Sequence, residues 1–301
     1  MRALVTGGAG FIGGHLVQAL SARGDDVVVL DNLRRGDLRD PADARNVEMS
    51  TGDIRDYATV LAASRGAEVV YHLAAQSNVM GAVDDPDYSF TTNVAGTYNV
   101  LKAATAAGVR RVVFTSSREV YGEPERLPVS ESALLDPKNA YGASKVAGEA
   151  YCRAWSSVND LEVQVLRFAN IYGPRDRQRV IPLWLDLASR GEEIIVFGGE
   201  QVLDFLSVGH AVEALLAAVD CKPTGPVNVG SGKGTSILAL AERIRQLSGS
   251  RSSVRIVPAR GPEVVRFIAD VRRMDSELHL APPADPLEAL SDLWAAFALS
   301  G

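Results

Sequence analysis

Tyr141 and Lys145 stand four residues apart in Asn139-Ala140-Tyr141-Gly142-Ala143-Ser144-Lys145, a spacing that puts both side chains on one face of a helix. A lysine ammonium there is expected to lower the tyrosine pKa, so that the phenolate becomes accessible as a base near neutral pH. Ser117, in Ser116-Ser117-Arg118-Glu119-Val120-Tyr121-Gly122, would hydrogen-bond the same substrate hydroxyl and hold it for proton transfer. Glu119 follows two residues later and is either a second base or a bystander. Arg118, always protonated and without an acceptor, is a very poor general acid. It would pair with Glu119 or reach a carboxylate on the substrate.

A second constellation lies near the N-terminus. Thr6-Gly7-Gly8-Ala9-Gly10-Phe11-Ile12-Gly13 follows a strand-like run and opens a helix-like one. Gly7, Gly10 and Gly13 give G-x-x-G-x-x-G, and Gly8, Gly10 and Gly13 also satisfy G-x-G-x-x-G. Glycines are needed where the chain turns sharply, the backbone approaches a pyrophosphate and the helix N-terminus aims at that anion. Asp31 ends the next strand-like run, where a carboxylate would accept hydrogen bonds from the adenosine ribose hydroxyls. The combination predicts NAD binding in preference to NADP, against which Arg34 and Arg35 are the competing feature. Asp53 and Ile54, in Ser50-Thr51-Gly52-Asp53-Ile54, stand where an adenine would rest between a carboxylate and an aliphatic side chain; the alternative is a loop aspartate at a strand end.

The elements that must position these residues are short apolar runs alternating with helix-like segments through the first half of the chain. That alternation predicts a parallel sheet with helices on both faces, its strands buried on both sides. The expected fold is α/β: a Rossmann-type doubly wound parallel sheet over residues 1–172, with a smaller C-terminal α/β substrate-binding region over 173–301. Segments near 205–232 are candidates to return to the first sheet. After Gly173 the sequence suggests strands in Glu193 to Gly199 and Pro226 to Gly232, and helices over 208–219 and 236–248.

Bulk properties narrow the function. The 301 residues are 47% hydrophobic and 23% charged, as in a globular chain with a sizeable core. With a net charge of −6 and scattered basic residues, no footprint for nucleic acid or an anionic membrane appears. Cys152 and Cys221 are far apart and read as packing residues, which suggests a reducing compartment. No apolar run approaches the ~20 residues of a membrane span, no signal peptide is apparent, and a cytoplasmic location is expected. Gly230 to Ser236 lacks the P-loop spacing and reads as a turn leading to a helix. The four histidines are dispersed without metal-ligand spacing, so no metal is expected.

With these motifs together the sequence resembles the extended short-chain dehydrogenase/reductase family, specifically its nucleotide-sugar epimerases and dehydratases. Its marks run along almost the whole chain: TGGAGFIG, DN at 31–32, GDI at 52–54, HLAA at 72–75, NVAGT at 93–97, SSREVYG, YGASK, LRFANIYGP, VNVGSG at 227–232 and IAD at 268–270. The resemblance implies that Phe11, Ile12, Asp31, Asn32, Asp53, Ile54, Leu73, Ala74, Ala75, Asn93, Tyr141 and Lys145 line NAD, and that Asn170 and Arg260 meet the diphosphate of a sugar nucleotide. It implies a 4-epimerase acting on UDP-glucose and UDP-galactose or a related sugar, with Ser117, Tyr141 and Lys145 as catalytic residues. The alternative is a dehydratase or other C5-acting enzyme in which Glu119 removes the C5 proton; a further one is a non-catalytic NAD-binding protein on the same fold. A homodimer built on the segments at 88–107 and 141–158 is also implied. Leu203 and His210 depart from the family pattern, standing where Arg and Asp are expected, and Arg175, Arg177 or Arg179 are candidates to supply the missing charge.

Overall fold

Stretches such as Ala3 to Val5 and Val27 to Leu30 have every side chain buried, which only a sheet covered on both faces allows. The computed structural model describes residues 1–36, 45–177 and 179–298. The first part runs β1 (Arg2–Thr6), α1 (Phe11–Ala22), β2 (Asp26–Asp31), β3 (Val47–Thr51), α2 (Tyr57–Ser64), β4 (Val69–His72), α3 (Val79–Asp84) and α4 (Pro86–Phe90). A π-helical turn (Thr91–Gly96) then leads into α5 (Thr97–Ala106) and β5 (Arg111–Ser117). After a 3₁₀ turn (Arg118–Tyr121) come α6 (Ala140–Val158), β6 (Glu162–Phe168), β7 (Asn170–Tyr172), α7 (Val180–Ser189), β8 (Ile194–Phe197), β9 (Val202–Ser207) and α8 (Val208–Ala217). The chain continues through β10 (Val227–Val229), β11 (Gly234–Ser236), α9 (Ile237–Ser248), β12 (Val254–Val257), β13 (Arg266–Phe267), α10 (Arg272–Leu278) and α11 (Leu290–Ala298).

Among the described residues, seven strands form one parallel sheet in the order β3-β2-β1-β4-β5-β6-β10. The winding reverses between β1 and β4, where Thr6 pairs with His72 in register. At such a switch point the loops leaving the strands' C-terminal ends diverge and open a crevice. One face of the sheet packs on α1, α8 and α10 through Leu16, Val17, Leu20, Ala211, Leu215 and Met274. The other packs on α2, α5 and α6 through Val60, Val100, Leu101 and Cys152.

The late segment does return to this sheet: β10 pairs with β6 and α8 shares the core of α1. A separate core gathers α7, α9 and α11 around β8 and β9 through Trp184, Leu185, Ile194, Phe205 and Leu240. The glycine-rich 230–234 stretch is a turn, as expected, but it also begins a short strand, β11, antiparallel to β9. Ser236 then caps α9, its Oγ accepting from Ala239 N at 3.1 Å. Cys152 and Cys221 are both free thiols, and no described helix is long and apolar enough to cross a membrane.

A buried ion pair ties α6 to the sheet. Arg167 on β6 donates from Nη2 to Glu149 Oε2 at 2.6 Å and from Nε to Oε1 at 2.9 Å. Its Nη1 reaches the Tyr121 hydroxyl at 2.8 Å and the Glu131 carbonyl at 3.0 Å. With the two side chains only 4% and 9% exposed, removing one charge strands the other. Glu149→Gln is expected to lower stability by about 3–5 kcal/mol, seen as a lower urea midpoint with an unchanged slope. An unchanged midpoint would refute this role.

Candidate active site

The turn after β1 is shaped by contacts that leave no room for side chains. Gly7 has φ +76°, donates to Leu30 O at 2.8 Å, and a Cβ there would lie 2.7 Å from Ala74 N. A Cβ on Gly13 would run into the Gly7 carbonyl. Gly10 is the N-cap of α1 and offers no side chain to the helix's first N–H groups, nor does the first turn carry an acidic residue. This is the geometry that receives a phosphate, so the residues present fit a dinucleotide. Asp31 accepts from Ala9 N at 3.1 Å and Leu33 N at 2.8 Å, stitching the turn to β2. Burial raises its pKa, opposed by those two bonds.

The other residues expected around a dinucleotide are spread along the same strand ends. Phe11 and Ile12 begin α1, and the Arg179 guanidinium lies 5.3 Å from the Phe11 ring centre. Asn32 donates to Asp53 Oδ2 at 3.0 Å. Asp53 is held down to about 2, chiefly by its hydrogen bonds with Arg55, whose Nη2 lies 2.8 Å away. Ile54 is buried, with its side chain against Gly96. Leu73, Ala74 and Ala75 follow β4, where Leu73 N and Ala74 N are bound by Thr6 O and Thr6 Oγ1 at 3.1 and 3.3 Å.

Helix α6 brings the tyrosine to the serine. Asn139 caps it, its Oδ1 accepting from Gly142 N at 2.8 Å, and Gly142 lets the helix dock on the 3₁₀ turn, since a Cβ there would strike the Glu119 carbonyl. This sets the Tyr141 phenol beside Ser117, whose side chain favours its charged form. The phenol is nevertheless raised, not lowered as the motif suggests. Burial is the largest cause, opposed by Ser117 and by the charges of Arg179 and Arg118. Lys145 does not supply the expected pull: its Nζ donates to Thr115 O at 2.8 Å and stands 6.0 Å from the Tyr141 ring centre. Burial drives its own pKa down to about 8.

A buried polar chain that the motifs did not reveal links the two constellations. His72 Nδ1 meets Thr6 Oγ1 at 2.8 Å and Nε2 meets Thr97 Oγ1 at 2.9 Å. Thr97 spends its proton on Asn93 O at 2.6 Å, which assigns the histidine proton to Nε2. Burial takes His72 down to about 3, so the ring is neutral. Asn93 then donates to Gln76 O and Ser144 Oγ at 3.0 and 2.9 Å and accepts from Gln76 N at 2.8 Å. Ser144 donates to Tyr141 O at 2.7 Å. Asn93, expected to line the cofactor, is thus committed to holding α6. The available signal was a histidine at the end of an apolar strand, a buried polar group that must find partners.

Glu119 and Arg118 are a buried ion pair at 2.9 Å, with side chains 5% and 12% exposed. Glu119 Oε2 also accepts from Asn139 Nδ2 at 2.8 Å. Arg118 Nε donates to Asn170 Oδ1 at 3.2 Å, and Asn170 Nδ2 to Asp204 O at 2.9 Å, so Asn170 is anchored beside the pair. The Arg260 guanidinium stands 3.7 Å from the Phe197 ring centre and 3.6 Å from Glu263. Leu203 sits in β9 opposite Thr235. His210 meets Ser207 Oγ at 3.1 Å and Glu288 at 3.3 Å. Arg179 pairs with Asp176 at 3.3 Å, and Arg175 packs against Gly14 of α1. No cluster of three or more metal-ligand side chains occurs among the described residues.

The model of the NAD dependent epimerase/dehydratase family matches residues 3–230. A UDP-glucose 4-epimerase of Mycolicibacterium smegmatis is 37% identical, over 97% of this chain and 96% of that one. The crystal structure of UDP-glucose 4-epimerase with UDP-glucose from Thermotoga maritima superposes with a TM-score of 0.95 at 32% identity, over 100% of this chain and 99% of that one. That of the Thermus thermophilus UDP-glucose 4-epimerase complex with NAD does so at 0.93 and 33%, over 99% of each chain.

The lysine yields a signed pH test. Below pH 8 both folded and unfolded chains carry the Lys145 proton, and the folded state bears the full burial penalty. Between about 8 and the ordinary 10.5 the folded state releases its proton first, so stability rises with pH through that window, by roughly 3 kcal/mol at 1.36 kcal/mol per pKa unit. Lys145→Met removes this slope. Its stability relative to the parent, from urea unfolding, should fall as pH rises from 8 to 10.5. A constant difference would contradict the depressed pKa.

Proposed function

The chain belongs to the NAD dependent epimerase/dehydratase family, and on that premise we propose that it is an NAD-dependent nucleotide-diphosphate-sugar 4-epimerase, with UDP-glucose and UDP-galactose as its default substrates. The observation that carries the reading is the Ser117–Tyr141 hydroxyl pair, with Lys145 one helical turn on, beside a glycine cradle that fits a dinucleotide. Gly7, Gly10 and Gly13 would hold the pyrophosphate and Asp31 the ribose. NAD supplies an acceptor and donor of hydride at the sugar's C4. Tyr141 takes the 4-hydroxyl proton and later returns it, and Ser117 holds that hydroxyl in line. Lys145 is held by Thr115 O one helical turn from the tyrosine, and the charges of Arg179 and Arg118 favour the phenolate. Asn170 contributes to the sugar-nucleotide side. Residues 1–172 with the returning β10 form the cofactor half in this reading, residues from 173 most of the substrate half, and the enzyme is cytoplasmic.

The competing role for Glu119 as a C5 base finds less support, because both its carboxylate oxygens already have partners in Arg118 and Asn139. Proton NMR of the protein with UDP-glucose in D2O separates the two: inversion at C4 without deuterium is expected, whereas deuterium at C5 would make Glu119 the base. Tyr141→Phe should lower turnover at least ~10³-fold, within the range of general-base removal, while cofactor stays bound. Full activity would remove the tyrosine from the mechanism.

The enzyme is also proposed to be a homodimer. Phe90, Tyr98 and Tyr151 are exposed at 60%, 37% and 43% and line one apolar groove with Val94 and Ala95, formed by α4, the π-helical turn, α5 and α6. A patch of this kind suits a helix-on-helix contact with a second copy. Light scattering should give twice the 32.1 kDa of one chain, and Phe90→Asp should give monomer. A monomeric parent would end this part of the proposal.

A further inference from the structure

Arg34, Arg35 and Arg55 follow closely on Asp31 and Asp53 in the chain, and the fold gives each of them a partner. The turn after β2 is tight: Leu33 adopts φ +58°, and Leu33 N and Arg34 N donate to Asp31 Oδ1 and Asn32 Oδ1 at 2.8 and 3.1 Å. Arg34 leaves this turn toward α4, where its guanidinium stands 3.7 Å from the Tyr88 ring centre and its Nη2 lies 3.8 Å from Asp85 Oδ2. Arg55 grips Asp53 through Nε and Nη2 at 3.0 and 2.8 Å, 5.0 Å from the same ring centre. Arg35 donates to Ser77 Oγ at 3.2 Å. The Tyr88 hydroxyl accepts from Asn32 Nδ2 at 3.3 Å, and Asp85 fixes the start of α4 by accepting from Tyr88 N at 3.0 Å.

These pairings decide which dinucleotide suits the corner. Arg34 is matched by Asp85 and Arg55 by Asp53, whereas Asp31 accepts, among the described residues, from the backbone N–H groups of Ala9 and Leu33. A 2′-phosphate on the ribose would meet that carboxylate, and the group able to offset the repulsion is a nearby arginine. Arg34, three residues on, has the place in sequence for that part but is stacked on Tyr88 and faces Asp85. Resting on the assignment of Asp31 to the ribose, we infer that Tyr88 and Asp85 of α4 are specificity residues that keep NAD the cofactor by withholding Arg34 from a 2′-phosphate. Asp31 supplies the repulsion, and α4 denies it a counter-charge. With its side chain 54% exposed, Arg34 can turn once these contacts are gone. An exposed cation–π contact and an exposed ion pair are each a modest restraint, so α4 adds about tenfold to the discrimination rather than all of it.

The test dialyses the protein to equilibrium against an equimolar mixture of NAD and NADP and measures, by mass spectrometry after denaturation, the excess of each in the protein chamber. The parent should hold mostly NAD. Tyr88→Leu/Asp85→Asn, in which the asparagine still caps α4, should raise the bound NADP-to-NAD ratio about tenfold. Adding Arg34→Met to that pair should cancel the gain, while Arg34→Met alone should leave the parent's ratio unchanged. General loosening of α4 would move the ratio whether or not Arg34 is present, so this comparison isolates release of the arginine. If the double variant fails to fold, Asp85→Asn alone should still raise the ratio about threefold. An unmoved ratio, a gain that survives Arg34→Met, or a parent in which Arg34→Met lowers NADP binding would each overturn the inference while NAD remains bound. Binding of neither dinucleotide by the parent would overturn it together with the assignment of Asp31.

Discussion

The hydrogen-bonded path from Thr6 through His72, Thr97, Asn93 and Ser144 to the Tyr141 carbonyl holds the phosphate turn and the tyrosine helix in one frame. It crosses the sheet at the switch point between β1 and β4, where Thr6 and His72 are register partners. Each member is buried, and each has only the donors and acceptors it uses here, so the path tolerates little rearrangement. A charged imidazole would reverse its first bond, because Nδ1 would become a donor and the Thr6 hydroxyl, which already accepts from Ala74 N, would have to accept from it as well. Burial keeps that from happening by depressing the ring's pKa to about 3.

Burial acts on the reacting groups as well, and in the unhelpful direction. It raises the Tyr141 phenol and lowers Lys145 toward 8, so the site bears an energetic penalty that the rest of the fold offsets. The Arg167–Glu149 pair, on the same helix and the next strand, is one part of that support. Asn139 is another: it caps α6 and also fixes Glu119 and the Pro262 carbonyl. A single side chain thus sets both where the tyrosine stands and what the glutamate can do.

The arginine beside the catalytic serine shows how neighbours change a residue's meaning. In isolation Arg118-Glu119 is two opposite charges in a loop, the kind of pair that contributes little when exposed. In the fold both charges are enclosed, Asn170 and Asn139 take one group of each, and a single guanidinium nitrogen is left over. The departures at Leu203 and His210 are likewise absorbed locally, by strand pairing with Thr235 and by contacts with Ser207 and Glu288.

Sequence alone determined the alternating α/β order, the glycine turn with Asp31 at the next strand end, and the Tyr141–Lys145 spacing. These depend on local constraints: side-chain periodicity, the absence of a Cβ, and helical pitch. It also pointed to late segments returning to the first sheet, since a hydrophobic strand needs a sheet edge to pair with. What tertiary structure decided was electrostatic and long-range. The upward shift of Tyr141, the diversion of Lys145 to Thr115 O, the commitment of Asn93 to Gln76 and Ser144, and the fixing of Arg118 and Glu119 by Asn170 and Asn139 all come from residues distant in the chain. Burial and hydrogen-bond partners are properties of the assembled interior, and no spacing along the chain carries them.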